Sequence, residues 1–476
     1  MKIENHQLKN IVIIGCGFSG ALTCVNLIKN QQLSNCNIYL IEKKNEIPKG
    51  LAYSTDTNLH LLNVPVKNMS ALEADQNDFL EYCRLKWDKK CNIDELKNYY
   101  LPRAFYGDYL KELVNESIKN SQIKVNLIKN EVLNIIPDLQ NNYKVILAKG
   151  DTINANYIVM APGNLDYGNP HITNKDFFNS PLYVQNPWDK ARLAKVNKNE
   201  AVLIIGTAQT AIDIALVLND QGLKQPIYMM SRHGLVSQPH TQEATQAMGT
   251  GQSFGLTLDT LSKNILTALK QVRSAITKVK DWRLVIDSLR PITQAYWASL
   301  TLTEKHRFTR HVQVIWDIHR HRLAMVVARD IDKLIKNQSV KILAGRLVNI
   351  TQTNNLAHIQ YKLRHHDSIE ELTVGTVINC TGPNFNLNSL TNPLLKNLSK
   401  DGFIVPNELG VSIKTDNIYN VVNSKNEVLK NVFVLGPILK PQLFETVAIP
   451  ELRKQTQIVA NKVKDLILEE VKITAN

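Results

Sequence analysis

The sequence predicts an α/β protein in which a βαβ unit occurs twice. Residues 11–41 contain a short apolar run, a glycine turn, a helical apolar spacing and a second strand-like run, and residues 202–230 repeat that order. The second strand and its end, IYLIEK at 38–43, match IYMMSR at 227–232 position by position. These observations indicate an internal duplication in which parallel strands are joined by helices.

A further strand closes each half of the chain. Residues 157–163 and 377–382 are both apolar runs of the buried-strand type, and both end in a glycine turn. The chain of 476 residues is two to three times as long as a typical domain, so it has room for two complete halves. We therefore expect two Rossmann-like domains.

Helices are predicted for two of the remaining stretches. Residues 256–335 contain few glycines and show helical apolar periodicity, which predicts a helical insertion before the closing strand of the second unit. Residues 451–471 carry apolar residues at the spacing of an amphipathic closing helix.

Composition narrows the classes of function. Lys and Arg outnumber Asp and Glu by 56 to 43, a net charge of +13, which favours nucleic acid, a membrane surface or a phosphate-bearing small molecule as partner. No basic low-complexity arm or nucleic-acid motif accompanies this charge, and the 18 uncharged residues from 11 to 28 are too polar for a membrane anchor. Six cysteines without a C-x-x-C pair predict reduced thiols in the cytoplasm and exclude a zinc site or redox disulfide of that type.

The first glycine turn is a complete G-x-G-x-x-G, formed by Gly15, Gly17 and Gly20 with Phe18 and Ser19 between the last two. The first glycine permits the turn, the second lets a pyrophosphate approach the backbone, and the third lets helix and strand pack closely. Glu42 follows the next strand, 27 residues after Gly15, and is placed to accept hydrogen bonds from a ribose 2′-hydroxyl. The pattern predicts a dinucleotide site.

The second glycine turn differs in ways that change the predicted ligand. After Gly206 come Thr207, Gln209 and Thr210, and alanine replaces the second and third glycines. Ser231 and Arg232 stand where the first unit has Glu42 and Lys43, and an arginine there binds a 2′-phosphate that an acid would repel. We therefore assign FAD to the first turn and NADPH to the second; the alternative for Arg232 is a solvated surface charge.

Several short motifs, which occur in a fixed order along the chain, resemble those of a known family. They are GCGFSG at 15–20, GLAYS at 50–54, HLLNVP at 60–65, MS at 69–70, PR at 102–103, YG at 106–107, YL at 109–110, APGN at 161–164, PWD at 187–189, SRHG at 231–234, WDIHRHR at 316–322, LGP at 435–437, FET at 444–446 and PE at 450–451. Over nearly its whole length the chain resembles bacterial FAD/NAD(P)-binding proteins with two dinucleotide folds, which are related to class B and N-hydroxylating flavin monooxygenases.

The resemblance implies a discontinuous FAD domain, residues 1–170 and 380–476, around an NAD(P)H domain at residues 171–379. It implies that Gly436 and Pro437, after a strand over 432–435, bring backbone N–H groups against the flavin, and that Asn63, Val64 and Arg103 line FAD. For Arg103 a structural salt bridge is the alternative to a pyrophosphate contact. The predicted FAD contacts are completed by Lys43, Val132, Gly163 and Thr446.

The chain departs from the ketone-oxidising class B enzymes between the two folds. Their linker motif has glycine and histidine where this chain has Ser180 and Val184, although Phe178 and Trp188 stand at the right spacing. Loss of that histidine argues against ketone oxygenation.

A basic run at residues 319–322, His-Arg-His-Arg, is the remaining candidate cluster. A metal site is disfavoured because helical residues two apart point to different faces, so ordinary polar packing is the better interpretation. The run either binds an anion or forms a solvated face.

These features together predict an FAD-dependent, NADPH-using oxidoreductase, a monooxygenase that transfers oxygen from dioxygen to a small amine or thiol. No catalytic acid or base is predicted, because the cofactor carries the chemistry. No metal is predicted either, on the cysteine and histidine spacing given above. The alternatives are an NADPH-dependent reductase of a quinone or protein acceptor and a flavin-binding regulatory protein without turnover. Nucleic-acid binding is suggested by charge alone.

Overall fold

The structure is a computed structural model, which describes residues 8–30, 32–33, 35–44, 47–87, 91–138, 142–241 and 254–475. In chain order the strands are β1 (Lys9–Ile14), β2 (Cys36–Glu42), β3 (Lys124–Lys129), β4 (Val132–Pro137), β5 (Tyr143–Leu147), β6 (Thr152–Ala155), β7 (Tyr157–Met160), β8 (Tyr183–Val184), β9 (Val202–Ile205), β10 (Ile227–Ser231), β11 (Val340–Thr353), β12 (Leu356–Leu363), β13 (Ile369–Val374), β14 (Thr376–Asn379), β15 (Asn420–Val422) and β16 (Val428–Val434).

The helices are α1 (Phe18–Ile28), α2 (Gly50–Tyr53), α3 (Asp78–Lys86), α4 (Ile93–Leu96), α5 (Arg103–Lys119), α6 (Lys190–Leu193), α7 (Gln209–Asp220), α8 (Ile265–Ile276), α9 (Trp282–Ser288), α10 (Thr293–Ser299), α11 (Leu302–His311), α12 (Gln313–Arg320), α13 (Met325–Lys336), α14 (Pro393–Lys400), α15 (Lys440–Leu443) and α16 (Ile449–Ala475). Single 3-10 turns cover Val66–Asn68, Lys175–Asn179, Arg290–Ile292, Leu387–Ser389 and Pro437–Leu439. Among the described residues, no helix is both long enough and apolar enough to cross a membrane.

Contacts divide the chain into two units. The first unit comprises Met1–Asn58, Val64–Leu165 and Phe385–Asn476, and the second comprises Leu59–Asn63 and Asp166–Asn384. Each unit contains a mainly parallel sheet, so the predicted α/β class with two Rossmann-like folds is confirmed.

The sheet of the first unit has the strand order β15-β16-β7-β1-β2-β3, and only β15 runs antiparallel to its neighbour. Successive residues of its strands face two different cores in turn, because side chains alternate between the two faces of a sheet. Val12 and Ile14 pack with the antiparallel sheet β4-β5-β6 and with α14, whereas Ile11 and Ile13 pack with α1 and α16. The last ninety residues therefore contribute to both faces of this sheet.

The sheet of the second unit has the order β13-β12-β11-β10-β9-β14-β8. The strands from β8 to β11 are parallel, and β11, β12 and β13 continue as antiparallel neighbours. Helices α8 to α13 lie between β10 and β11 and form the helical insertion predicted from the sequence. A core of its own, which includes Leu256, Val285 and Leu289, stabilises this insertion.

Candidate functional site

The first glycine turn lies at the carboxyl end of β1. Gly15 has φ +94°, and a Cβ atom at this position would lie 2.2 Å from the carbonyl oxygen of Ala161. Its N–H donates to the carbonyl of Ile41 at 2.9 Å, and Ala161 N–H donates to Ile14 at 2.8 Å. Three neighbouring strand ends thus meet around one residue, where only glycine fits.

The other two glycines of the turn have different roles. A Cβ on Gly20 would lie 1.9 Å from the Gly15 carbonyl oxygen, so this position sets the close approach of α1 to the turn. A Cβ on Gly17 would have only Gly50 within 4 Å, at 3.6 Å from its Cα. Gly17 precedes α1, and no side chain caps the N-terminus of this helix. At α8, by contrast, the side chain of Asn264 accepts hydrogen bonds from two backbone N–H groups. The backbone at Gly17 is therefore open to an anion.

Glu42 is held against this turn. Its Oε2 accepts from the backbone N–H of Cys16 at 2.9 Å, and its Oε1 accepts from that of Lys44 at 3.0 Å. The exposed Lys43 instead forms an ion pair with Glu131 at 3.4 Å. Val132, the first residue of β4, is buried in the core at 5% exposure. The carboxylate of Glu42 is thus positioned beside the turn, while the side chain of Val132 is not exposed to a ligand.

The C-terminal segment adds residues beside the same turn. Gly436 has φ +94°, and a Cβ there would lie 3.3 Å from Ser19 Oγ. Its N–H donates to Gln455 Oε1 at 3.2 Å, and Gln455 Nε2 in turn donates to Thr446 Oγ1. Pro437 follows at the start of a 3-10 turn. Gly436 therefore meets the glycine turn in space, whereas Thr446 is fully buried and supports it from behind.

The remaining residues predicted for the first unit are more scattered. Gly163 has φ +73° and open space around its missing Cβ, in the loop after β7. Arg103 is the half-buried first residue of α5, and Val64 is half-buried just before the 3-10 turn Val66–Asn68.

Gly50 completes the surroundings of the turn and was not among the predicted site residues. It has φ +56°, and a Cβ there would lie 3.0 Å from Gly17 Cα. Its signal in the sequence is the motif GLAYS, because a glycine that opens a helix is unusual unless another backbone passes close by.

The second glycine turn reproduces the first. Gly206 has φ +130°, and its Cβ would lie 2.5 Å from the carbonyl oxygen of Cys380, the residue after β14. Its N–H donates to Met230 at 2.7 Å, as that of Gly15 does to Ile41. Ala208 precedes α7 at φ −86° and ψ −170°, close to the −71° and −169° of Gly17. The duplication seen in the sequence is therefore a duplication of backbone geometry.

Hydroxyl groups occupy the place of the Glu42 contact in the second unit. Thr207 Oγ1 lies 2.9 Å from Ser231 Oγ and 2.5 Å from the carbonyl oxygen of Leu235. The backbone N–H of Gly234 donates to Ser231 Oγ at 3.0 Å. Arg232, next in sequence, is exposed. The strand end that carries an acid in the first unit thus carries neutral and basic groups in the second.

Gln209 and Asn63 lie together, although the sequence assigned them to different cofactors. Asn63 belongs to the short segment Leu59–Asn63 of the second unit, and its Nδ2 donates to Gln209 Oε1 at 3.1 Å. Gln209 Nε2 donates to the carbonyls of His321 and Arg322 at 3.2 and 3.0 Å. The carbonyl of Asn63 lies 3.0 Å from Nε2 of His240. The side chain of Gln209 therefore connects the first turn of α7 by hydrogen bonds to the helical insertion and to the segment Leu59–Asn63.

Thr210 is in contact with a different group. Burial raises the pKa of the phenol of Tyr167, and hydrogen bonds from Trp188 and Thr210 oppose that rise. Trp188 Nε1 donates to Tyr167 Oη at 2.9 Å. The linker tryptophan is thus connected to the second glycine turn through one tyrosine. Val184, at the linker position that lacks histidine, is buried in β8.

The basic run at 319–322 is largely engaged in contacts with neighbouring protein groups. Arg322 is buried and forms an ion pair with Asp287, with side chains 5% and 9% exposed. His321 lies 3.5 Å from Asp317, and Nδ1 of His319 lies 2.7 Å from the carbonyl of Ile315. These contacts are the polar packing that the sequence favours. Among the described residues no group of three potential ligands could hold a metal ion.

The six cysteines are free thiols, and five of them are buried. Burial raises the pKa of Cys24 and Cys83 to about 12 and that of Cys36 to about 11. For Cys16, burial and then the charge of Glu42 raise the thiol pKa far above its usual range. The five buried thiols are therefore protonated and unreactive at neutral pH.

We expect a disulfide reagent such as DTNB at pH 8 to label one thiol rapidly in the native protein, that of Cys91, which is only half-buried. The other five should react only after unfolding in guanidinium, because burial withholds the thiolate from the reagent. Absorbance of the released thiolate measures both phases, and Cys91→Ser is the control that removes the rapid one. Rapid labelling of a second thiol after addition of NADPH would instead indicate a redox-active disulfide.

Comparison with known proteins agrees with this geometry. Residues 12–165 match the model of a family described as FAD-NAD(P)-binding. No curated protein matches the chain in sequence. The chain is similar in structure to an ornithine hydroxylase from Pseudomonas aeruginosa, with 14% identity, a TM-score of 0.66, and 96% of this chain and 99% of the other covered.

Two further solved structures have the same fold. An ornithine N-hydroxylase from Kutzneria sp. 744, described with reduced FAD, NADP⁺ and L-ornithine, has 12% identity, a TM-score of 0.66, and coverage of 97% and 99%. A thioredoxin reductase from Lactococcus lactis has 13% identity, a TM-score of 0.52, and coverage of 97% and 99%. Residues 12–165 thus form an FAD-NAD(P)-binding domain, within a chain that has the fold of the two-dinucleotide-domain flavoproteins.

Proposed function

We propose that the protein is an FAD-dependent, NADPH-using monooxygenase that hydroxylates a small amine. The observation that carries this proposal is the repeated glycine turn, with an acid at the strand end of the first unit and hydroxyl and basic groups at that of the second. The amine is chosen because the structures similar over the full length include hydroxylases of ornithine and a cadaverine monooxygenase.

The residues of the first unit fit FAD. The uncapped N-terminus of α1 and the open space at Gly17 suit a pyrophosphate, since backbone N–H groups and the helix dipole stabilise its charge. The carboxylate of Glu42 would accept from the ribose hydroxyls, and Gly436 would bring backbone against the flavin. Lys43, Val64, Arg103, Val132, Gly163 and Thr446 remain proposed contacts or supports of this cofactor.

The residues of the second unit fit NADPH. A pyrophosphate would bind between Gly206 and Thr210, and Ser231 and Arg232 would bind the 2′-phosphate. Gln209 and Asn63 would act by positioning α7, since their amides are already hydrogen-bonded to each other and to the insertion. The proposed domains are residues 1–170 and 380–476 for FAD and residues 171–379 for NADPH.

Bound FAD would supply the electron transfer from NADPH and the activation of dioxygen. The overall reaction balances as amine, dioxygen, NADPH and a proton giving hydroxylamine, water and NADP⁺. The protein chain contributes orientation of the two nucleotides and exclusion of water. A cytoplasmic location is proposed because all six thiols are free.

The test is the absorbance spectrum of purified protein, followed by anaerobic reduction with NADPH. We expect an oxidised flavin spectrum that bleaches with one equivalent of NADPH, and aerobic NADPH oxidation that L-ornithine, L-lysine or cadaverine accelerates with formation of a hydroxylamine. A matched thiol panel is the control for substrate class. Bleaching without hydroxylamine, together with rapid reduction of a quinone, would support the reductase; a flavin that stays oxidised would support the regulatory protein.

A further inference from the structure

Three arginines from distant parts of the second unit meet where β11 leaves the parallel sheet. β11 pairs with β10 up to Ser231, which is opposite Ala344, and then continues as an antiparallel partner of β12. Arg232 directly follows that last pair, and Arg346 lies two residues beyond Ala344. Arg364 donates its backbone N–H to the Ala344 carbonyl at 2.8 Å. We call Arg232, Arg346 and Arg364 the arginine cluster.

The loop after β10 packs directly on this junction. Gly234 turns back at φ +61°, and a Cβ on it would lie 3.0 Å from the Cβ of Ala344. His233 lies between Arg232 and Gly234 in the sequence, and the charges around it shift the pKa of its imidazole. Burial lowers the pKa of His233, and Arg364, Arg232 and Arg346 lower it further in that order. The guanidinium groups of the cluster therefore lie close enough to act on one imidazole, which stays neutral near pH 7.

No described carboxylate balances the charge of the arginine cluster. In the part of the chain that the structure describes, no carboxylate forms an ion pair with Arg232, Arg346 or Arg364. By contrast Lys362, which is paired with Arg346 across the two strands, forms an ion pair with Asp367 at 2.9 Å. All three side chains are exposed. An anion bound between them would lower their mutual repulsion, and arginine is the side chain best suited to hold a phosphate.

We propose that Arg346 and Arg364 determine coenzyme specificity by binding the 2′-phosphate of NADPH together with Arg232. The inference rests on the proposed nucleotide site of the second unit and goes beyond it, because the two residues lie more than a hundred positions from the second glycine turn. The hairpin β11-β12 thus serves as a phosphate clamp beside the strand end at Ser231. The ligand class is a ribose phosphate dianion.

The test measures binding of adenosine 2′,5′-bisphosphate and of adenosine 5′-monophosphate to the purified holoprotein by calorimetry. We expect wild-type protein to bind the bisphosphate at least tenfold more tightly. Arg346→Ala and Arg364→Ala should each weaken bisphosphate binding about tenfold, the value of one charge-assisted hydrogen bond, and leave monophosphate binding unchanged. Arg346→Lys should retain part of the preference, because the charge stays while the planar fork is lost.

Lys362→Ala is the matched control, since it removes one positive charge from the same hairpin but from an existing ion pair. Its preference for the bisphosphate should equal that of the wild type. The inference would be overturned if both arginine variants bound the bisphosphate as tightly as the wild type does. It would also be overturned if the variants lost affinity equally for the bisphosphate and the monophosphate. A third contrary result would be inorganic phosphate that competes for the site with the same affinity as the bisphosphate. Amine hydroxylation is not part of this readout, so failure of the monooxygenase proposal would be seen separately.

Discussion

Gly15→Ala is expected to lower the melting temperature and to remove bound flavin. The methyl group would stand 2.2 Å from the Ala161 carbonyl oxygen, and the residue would keep a φ of +94° that L-residues disfavour. The left-handed conformation alone costs about 1–2 kcal/mol, and the clash would also push β7 away from β1, where it contributes Ile158 and Met160 to the core. Thermal denaturation and flavin content per mole of protein measure the two effects.

Gly17→Ala is the matched control for this prediction. It changes the same turn by the same methyl group, but the nearest neighbour is Gly50 Cα at 3.6 Å, and Ala208 already adopts this conformation in the second unit. We expect nearly unchanged melting of the flavin-free protein and at least tenfold weaker FAD binding, because the methyl occupies the approach of the pyrophosphate. Equal losses of stability for Gly15→Ala and Gly17→Ala would contradict the division of roles.

Arg322→Ala is expected to destabilise the second unit by about 3–5 kcal/mol, the usual result of leaving one member of a buried ion pair without its partner. Its side chain is 5% exposed, and its Nη2 donates to Asp287, which is 9% exposed. The guanidinium also lies 5.9 Å from the ring centre of Trp282. The substitution would remove the ion pair that joins α9 to the segment around Arg322. That segment also contacts α7, because the carbonyl of Arg322 accepts from Gln209. Urea unfolding followed by tryptophan fluorescence measures the change.

A double variant without either charge separates the ion pair from simple packing. Arg322→Met with Asp287→Leu removes both charges while keeping most of the volume, and such replacements are often neutral or stabilising. We expect the double variant to recover most of the stability lost in Arg322→Ala. A double variant as unstable as the single one would show that shape, rather than charge, determines the effect.

The sequence was informative where local pattern and fold require the same thing. Gly15 and Gly206 could be placed because a glycine after a buried strand and before a helix has one common structural use. The helical insertion and the closing helix were predictable because their apolar spacing is long enough to show a period. The antiparallel sheet β4-β5-β6 carried no comparable signal, since its strands are four to six residues long.

Contacts between distant residues could not be predicted. Arg322 and Asp287 lie 35 positions apart, and no local pattern indicates that the charge of Arg322 would be buried. Gln209 stands in a glycine fingerprint, where a ligand contact is the natural expectation, yet its amide is hydrogen-bonded to Asn63 and the insertion. The arginine cluster depends on strand register, which is set by tertiary packing and the hairpin turn.

The placement of β16 sets an order in which the two units can be completed during synthesis. β16 is an interior strand of the first sheet, between β15 and β7, and α16 covers that sheet's helical face. A ribosome must therefore finish almost the whole chain before the unit that it began first has its last parallel strand. At about 5–20 residues per second, the stretch from residue 166 to 384 occupies roughly ten to forty seconds, during which β7 exposes an unpaired edge. The second unit, apart from the short segment Leu59–Asn63, is one continuous stretch and can close as soon as β14 emerges.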